Sequence, residues 1–429
     1  GIGKNFMRIK RITGIGFACL ILCISSWGSV HAQDTLRVMQ YNILRYGTTG
    51  INCTPTGVTA RNLWFTTIME ATMPDIFGVN EVGPSDGPTS PQNNILINIL
   101  QPLNPDYRAA TITFNGSQDI ANQLYYNSAK IGLAKQATVT QSFRNIDYYK
   151  LYYKGPGLSS GDTTFVEVVL AHFAASNQTQ AGNQAEAIMN YLGNQNRPGN
   201  FIVMGDFNQN SSNTGPMQEM LAHANLDIRM RDPINLSGTW SNNNSADHAW
   251  SQSTRNSGGS DCGSGGGLDD RFDLIMHSNA VLNNDDGISV APNSYWVFGN
   301  PNAPNPSVSS TITNALIPMS DHYPVMLDLV VDRVVAQDPQ VTAQVQMELR
   351  THPVSEVLDL QIEVPGGRAG SYALELFDLR GQAVQQWLPV LEAGVHTLRK
   401  DVSALAPGIY FLRLQAEGET PITKKLVVR

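Results

Sequence analysis

The sequence predicts a layered α/β sandwich, sheets inside and helices outside, followed by a small all-β sandwich. Two observations carry this reading. From Asp34 to about Val334, short apolar runs with near two-residue alternation are interleaved with a few helical stretches, the pattern of sheets covered by helices. Beyond the polar stretch "VVAQDPQVTAQVQ" only short alternating runs remain, broken by turn residues at roughly 8–12-residue spacing, as in small β-sandwiches. The 429 residues, 41% hydrophobic and 15% charged, suffice for two or three globular domains.

The first stretch reads as a secretory signal over residues 1–32. Arg8, Lys10 and Arg11 precede an apolar run from about Ile15 to Ile24, and Val30-His31-Ala32 offers a small-x-small cleavage site. That run is too short for a transmembrane span, and no later segment is long and apolar enough to be one. The divisions that follow are residues 33–334, a linker at 335–346, and a β-sandwich unit at 347–429.

Within 33–334, "TLRVMQYNI", "DIFGVNE", "IANQLYYN", "IDYYKLYYK", "FVEVVLAHF", "FIVMGDFN", "RFDLIMHS" and "YPVMLDLVV" read as strands from their β-branched, aromatic and leucine content. "TARNLWFTTIMEATM" reads as a helix with Leu63 and Ile68 on one face. "TQAGNQAEAIMNYLGN" reads as another, with Ala185, Ile188, Met189 and Leu192 inward and a stop at Gly193. The Gly- and Asn-rich stretch from Ser241 to Asp270 reads as long loop rather than core. In the last unit, "SEVLDLQIEV", "SYALELFDLRGQAVQQW", "GVHTLRKDVSAL", "GIYFLRLQAEGE" and "ITKKLVVR" read as strands, and His352 and His396 stand isolated with no chemistry around them.

The net charge of −8 becomes −12 if Lys4, Arg8, Lys10 and Arg11 leave with the signal. Such a chain does not coat a polyanion through its whole surface, because phosphate binding draws on clustered Lys and Arg. A polyanionic substrate would have to be met locally, with a divalent cation between like charges. Cys19 and Cys23 fall in the signal, which leaves Cys53 and Cys262 free to pair in an oxidising compartment; neither lies in a metal-type cysteine cluster.

Polar side chains interrupt the strand ends in a recurring manner. Asn42 closes "VMQYN", Glu81 closes "IFGVNE", His172 closes "VVLAH", Asp206 and Asn208 close "FIVMGDFN", and Asp321 with His322 precede "YPVML". Taken singly, each fits a cap, a turn or a satisfied core group; together they describe a polar cup at one rim of the sandwich. Glu81 and Asp321 are hard oxygen donors suited to Mg²⁺, which takes one or two protein carboxylates and leaves other positions to water and phosphate. Asp206 and Asn208, two apart, share a face on extended backbone. The carboxylate there could orient or deprotonate a water, and the amide could hold a phosphate oxygen. His172 and His322 could serve as donors to a phosphoryl centre or as general acid and base. Asp273, in "LDDRFDLIM", could fix the tautomer of His322.

In order, "QYNIL", "VNEVG", "LAHFAAS", "VMGDFNQN", "DRFDLIM" and "SDHYPVMLDL" resemble the motifs of the endonuclease/exonuclease/phosphatase superfamily, over about residues 34–333. The resemblance implies a four-layered α/β sandwich, two mixed sheets flanked by helices. It implies hydrolysis of a phosphate ester by an activated water with Mg²⁺ or Mn²⁺. Residue by residue it implies Glu81 as principal metal ligand with Asn42 beside it and Asp321 in or near the metal shell. Asn208 and His172 would contact phosphate, His322 would be steadied by Asp273, and the choice of base stays open between Asp206 and His322. Many relatives have Thr-His-Leu where this chain has Ala171-His172-Phe173, and nucleases of the group often place an Arg or Tyr between the Glu and His strands. Arg144, Tyr148 and Tyr126 fall in that interval.

"HPVSEVLDL", "LELFDLRGQAVQQW", "LAPGIYFLRLQAEG" and "KKLVVR" resemble the sorting domain of the type IX secretion pathway, with His352 where an Asn is usual. That resemblance implies the type IX machinery as partner and a secreted or cell-surface protein of a two-membrane bacterium. The expectation is a monomeric exported phosphodiesterase, foremost a nuclease. The rivals are a sphingomyelinase-like lipid phosphodiesterase or small-molecule phosphatase and, from another class, a surface binding protein with an inactive site.

Overall fold

The computed structural model describes residues 33–332, apart from 50–51, 117, 156–157, 159–162 and 306, and residues 345–429, apart from 366–368 and 417–420. The signal at 1–32 and most of the linker lie outside the described residues.

Two sheets form the centre of the first unit. The strands are β1 (Gln33–Tyr46), β2 (Ile76–Val82), β3 (Tyr107–Ala109), β4 (Ala121–Asn127), β5 (Ile131–Thr140), β6 (Ile146–Tyr153) and β7 (Phe165–His172). They continue as β8 (Phe201–Asp206), β9 (Met230–Arg231), β10 (Asp273–Ser278), β11 (Ile288–Val290), β12 (Trp296–Val297) and β13 (Val325–Asp332). One sheet runs β11-β13-β1-β2-β4-β3, with β12 also on β13; the other runs β5-β6-β7-β8-β10-β9. Both are mixed: β1–β2 and β7–β8 are parallel, and the other pairs are antiparallel.

Alternation explains why two sheets stack. Val168, Leu170, Ile202, Met204 and Ile275 point from the second sheet into one core with Val38, Ile76, Leu327 and Leu329 of the first. The opposite residues of the second sheet, Val169, Phe201, Val203, Leu274 and Met276, form another core with Ala181, Ala185, Ile188, Met189 and Leu192 of the helix Gln178–Gly193. That helix packs against Gly215–Leu221, and on the far side of the first sheet the helix Val58–Thr72 packs against Ser310–Met319. The order helix, sheet, sheet, helix is the four-layered sandwich.

The sequence misplaced Leu63, which is 72% exposed while Ile68 is buried. Five residues at 100° each put the two about 140° apart on a helix, so they cannot share one face. The Ser241–Asp270 stretch, read as long loop rather than core, does bury part of itself: Ala246, Ala249, Trp250 and Ser251 are buried, and Asn244–Ala249 forms a 3₁₀ turn capped by the Asn243 side chain.

The last unit pairs β14 (Gln346–Leu349), β15 (Val357–Val364) and β19 (Gly394–Asp401) in one sheet. A second sheet holds β16 (Gly370–Phe377), β17 (Ala383–Trp387), β18 (Val390–Leu391), β20 (Gly408–Ala416) and β21 (Ile422–Val428). Their inward residues, among them Leu358, Leu360, Leu374, Leu412 and Leu426, make a separate core, so this unit is an all-β sandwich.

Candidate active site

Register brings the polar strand ends together. His172 lies beside Asp206 in the parallel β7–β8 pair, and Asp206 lies beside Asp273 in the antiparallel β8–β10 pair. In the other sheet Asn42 pairs with Asn80, one residue before Glu81, and β13 enters beside β1 at Gln40–Val325 just after Asp321-His322. Both sheets thus deliver their polar ends to the same rim.

Close approach of β7 and β8 there requires glycine. Gly205 has φ +151°, and a Cβ on it would sit 1.8 Å from the Ala171 carbonyl oxygen, so no larger residue fits before Asp206. Glu81 (φ 66°), Leu44 (φ 42°), Arg45 (φ 49°) and Asn208 (φ 51°) are non-glycine residues in the left-handed region around the same rim. Strained backbone of this kind persists where surrounding structure over-determines it, and it clusters at functional sites.

Asn42 links the two sheets. Its Nδ2 donates to Asp206 Oδ2 at 2.9 Å and to Glu81 Oε1 at 3.1 Å, while its Oδ1 accepts from the Leu44 N–H at 3.0 Å. The Arg45 N–H donates to Glu81 Oε2 at 3.1 Å. His172 Nε2 stands 3.4 Å from Asp206 Oδ2 and 3.9 Å from Glu81 Oε1. On the other side of Asp206, His322 Nδ1 donates to Asp273 Oδ2 at 2.6 Å, which leaves Nε2 toward Asp206 Oδ2 at 3.9 Å and Asp321 Oδ1 at 4.0 Å. Asp321 accepts from the Ser264 N–H at 2.7 Å.

Asn208 departs from the sequence reading. The strand ends at Asp206 and the left-handed Asn208 turns away from extended geometry, so the shared-face rule does not apply. Its N–H donates to Asp206 Oδ1 at 3.0 Å, and its Nδ2 donates to the Phe173 carbonyl at 3.1 Å.

Burial makes the site electrostatically tense. Burial and then repulsion from Asp273 push the Asp206 carboxyl up to about 7, against the pull of His322 and the Asn42 amide. Burial, followed by Arg144, His322 and Arg45, holds His172 well below the ordinary imidazole range. Burial opposes charge on His322 too, but Asp273, Asp321 and Asp206 overcome it and raise that ring well above its ordinary value.

Several residues at the site were not singled out by the sequence. Asn80 Oδ1 accepts from the Asp206 N–H at 2.9 Å and from Gln40 Nε2 at 2.8 Å, and Asn80 Nδ2 donates to Asn122 Oδ1 at 2.8 Å. Ser251 Oγ donates to Asp273 Oδ2 at 2.6 Å, and the Gln252 amide nitrogen lies 2.7 Å from His322 Nε2. Arg61, fully buried, donates to the carbonyls of Leu44 at 2.8 Å, Met319 at 2.7 Å and Ile43, binding the segments that carry Asn42 and Asp321. The signal for Asn80 was its place beside Glu81 in "VNE"; Ser251 and Gln252 sit in a polar stretch with no periodicity to read.

Of the three residues in the Glu-to-His interval, geometry selects Arg144. Its Nη1 donates to the same Phe173 carbonyl as Asn208, at 3.1 Å. Tyr148 donates to Glu167, and Tyr126 pairs with Ile76 at the other end of β2 from Glu81. A disulfide joins Cys53 to Cys262, with Cα atoms 5.3 Å apart, and ties the segment after β1 to the Gly-rich loop that supplies Ser264.

The donor set suits a divalent cation. Glu81, His172 and Asp206 offer ligand atoms within 4.8 Å of one another, as do Asp206, Asp273 and His322. The buried Asp321 Oδ1 and His172 Nδ1 have no hydrogen-bond partner among the described residues. Crowded carboxylates, one of them held near neutrality by its neighbours, are what a cation between them relieves.

The fold and the site together define a four-layered α/β sandwich with a buried carboxylate, imidazole and amide cluster at one rim, joined to a small β-sandwich. Residues 352–429 match the family described as the secretion system C-terminal sorting domain. That domain marks the chain for export by the type IX pathway to the cell surface or beyond, and no described helix is long and apolar enough to cross a membrane. No curated protein matches the chain in sequence. Among solved structures, the human Nocturnin catalytic domain with bound sulfate is similar at 16% identity over 70% of this chain and 96% of that one, with a TM-score of 0.44. An endonuclease/exonuclease/phosphatase family protein from Bacteroides thetaiotaomicron shows 13% identity over 70% and 100% of the two chains, TM-score 0.45. A mannosyl-6-phosphatase from the same organism shows 13% identity over 68% and 99%, TM-score 0.44.

Proposed function

We propose that the protein is an exported, Mg²⁺- or Mn²⁺-dependent phosphodiesterase that hydrolyses phosphate esters by an activated water, with nucleic acid as the foremost substrate. The observation that carries this reading is the Asn42 bridge between Glu81 and Asp206, with His172 on one side of Asp206 and the Asp273–His322 pair on the other. Glu81 and Asp206, with Asn42 and Asp321 near them, would hold the cation. When bound it supplies charge for a phosphoryl oxygen and brings a water's pKa toward neutrality.

The chain's own residues do the rest. Asp273 accepts the Nδ1–H hydrogen bond of His322, which fixes the tautomer and turns Nε2 toward Asp206 and Gln252. A charged His322 donates to a non-bridging phosphate oxygen as negative charge builds there. Asp206, whose carboxyl is raised by burial and Asp273 in the metal-free protein, would orient the attacking water beside the cation. Asn208 Nδ2 and Arg144 Nη1, both now on the Phe173 carbonyl, are donors that can turn to a phosphate. Nucleic acid stands first by the resemblance of the strand-end motifs alone, and donors that meet the phosphate locally make an acidic chain compatible with it. A lipid phosphodiesterase or a small-molecule phosphatase would use the same centre.

The test is hydrolysis by the purified full chain of plasmid DNA, RNA, sphingomyelin and p-nitrophenyl phosphodiesters, with and without EDTA. The expected result is EDTA-sensitive cleavage of DNA or RNA. Cleavage that persists in EDTA would remove the cation from the proposal, and no cleavage of any substrate would favour a binding protein with an inactive site.

A further inference from the structure

We propose that Phe143 makes this site selective for nucleotides, its ring stacking on the base next to the phosphate that Asn208 and Arg144 hold. The inference rests on the phosphodiesterase reading above and names what lies beside the phosphate.

Phe143 sits at the tip between β5 and β6 and is 45% exposed, with φ +71°. A bulky residue in the left-handed region is unfavourable on the backbone, and an exposed phenyl recovers little from burial. The Arg144 guanidinium lies over the ring, its Cζ 4.6 Å from the centroid. That guanidinium in turn shares the Phe173 carbonyl with the Asn208 amide. The ring therefore touches one of the two proposed phosphate donors, Arg144, and that donor shares a carbonyl with the other, Asn208.

The surroundings favour a heteroaromatic over an alkyl chain. The flanking residues are Gln141, Ser142, Arg144 and Asn145. The neighbouring segment is joined by Asn115 Nδ2 to the Gln141 carbonyl at 3.1 Å and by Asn145 Nδ2 to Thr113 Oγ1 at 3.0 Å. It carries a second exposed ring, Phe114, and Asp119, which pairs with Arg45 at 2.7 Å. Isolated rings among polar groups and two arginines stack planar bases regardless of sequence; a lipid tail would need a continuous apolar floor.

The experiment is calorimetric titration of the full chain in Mg²⁺ with 2′-deoxyadenosine 5′-monophosphate and, separately, 2-deoxyribose 5-phosphate, for wild type, Phe143→Ala and Phe143→Trp. Wild type is expected to bind the nucleotide roughly tenfold more tightly than the base-free sugar phosphate. Phe143→Ala is expected to bring the nucleotide down to the affinity of the sugar phosphate, and Phe143→Trp to keep the preference, all at unchanged melting temperature. Equal affinities in wild type, or a preference that survives Phe143→Ala, overturn the stacking role while leaving the phosphate site standing. Binding of neither phosphate overturns the phosphate site and this inference with it.

Discussion

The two units of this chain use burial in opposite ways. Among the described residues, every buried polar or charged side chain, from Gln40 to His322, lies in the first unit, while the sorting domain buries apolar side chains such as Leu360, Leu412 and Leu426 and no polar ones. A buried ionisable group is costly unless it is paired, and buried apolar surface is favourable wherever it packs. The sandwich that carries an address has nothing to gain from buried charge. The sandwich at 33–332 holds Glu81, His172, Asp206, Asp273, Asp321 and His322 at one rim, supported by Asn42, Asn80, Ser251 and Arg61. The difference fits the proposal that the polar rim is kept for chemistry rather than for stability, and substitution can break that distinction.

The largest effect is expected at Glu81. Glu81→Gln keeps the shape and the Asn42 contact but removes a charge, so metal-dependent turnover should fall to background with the melting temperature little changed; steady-state kinetics beside a thermal melt checks this. Next come Asp206→Ala and His322→Ala, each expected to cost at least ~10²-fold in kcat. Asp273→Asn is expected to cost roughly 10–100-fold through the orientation of His322 alone. Retained full activity in Asp273→Asn would show that the His322 ring is held by the Gln252 contact instead.

A pH effect on stability sharpens the same contrast. Asp206 is raised from 3.8 to about 7, so in the metal-free protein its contribution favours the fold most fully below its unfolded value and is lost as pH rises through about 7. Melting temperatures with EDTA should therefore fall between about pH 4 and 7 more steeply in wild type than in Asp206→Asn. Added Mg²⁺ or Mn²⁺ should restore stability at the high end. Identical slopes in the two proteins would contradict the crowded-carboxylate account. The smallest effect on chemistry belongs to the other unit: Leu412→Ala should destabilise the sorting domain by ~2–5 kcal/mol and leave turnover unchanged.

How much of this was legible in the sequence follows from the same physics. Strand ends advertise themselves when an ionisable residue interrupts an apolar run, which is why Asn42, Glu81, His172, Asp206, Asp273, Asp321 and His322 were readable and register then joined them. Residues that act through a loop backbone carry no such periodicity. Ser251 and Gln252 lie in a Gly- and Asn-rich stretch that read as long loop with no residue of it singled out, yet they contact Asp273 and His322. Arg61 lies in a helix whose apolar face was misread at Leu63, so its inward side and its three carbonyl partners stayed hidden. Asn208 shows the limit of a two-residue rule where the strand has already ended. Cys53 and Cys262 were candidates for pairing by compartment alone, and only the fold shows that 209 residues of separation close onto one another.

The central claim is that the Glu81–Asp206 rim is a metal centre, and calorimetric titration of Mn²⁺ into the full chain at pH 8 tests it most directly. The account predicts a saturable site in wild type that disappears in Glu81→Gln and weakens as pH falls below about 7, where Asp206 takes up its proton. Wild-type protein that binds no Mn²⁺, or Glu81→Gln that binds it as tightly as wild type, would contradict it.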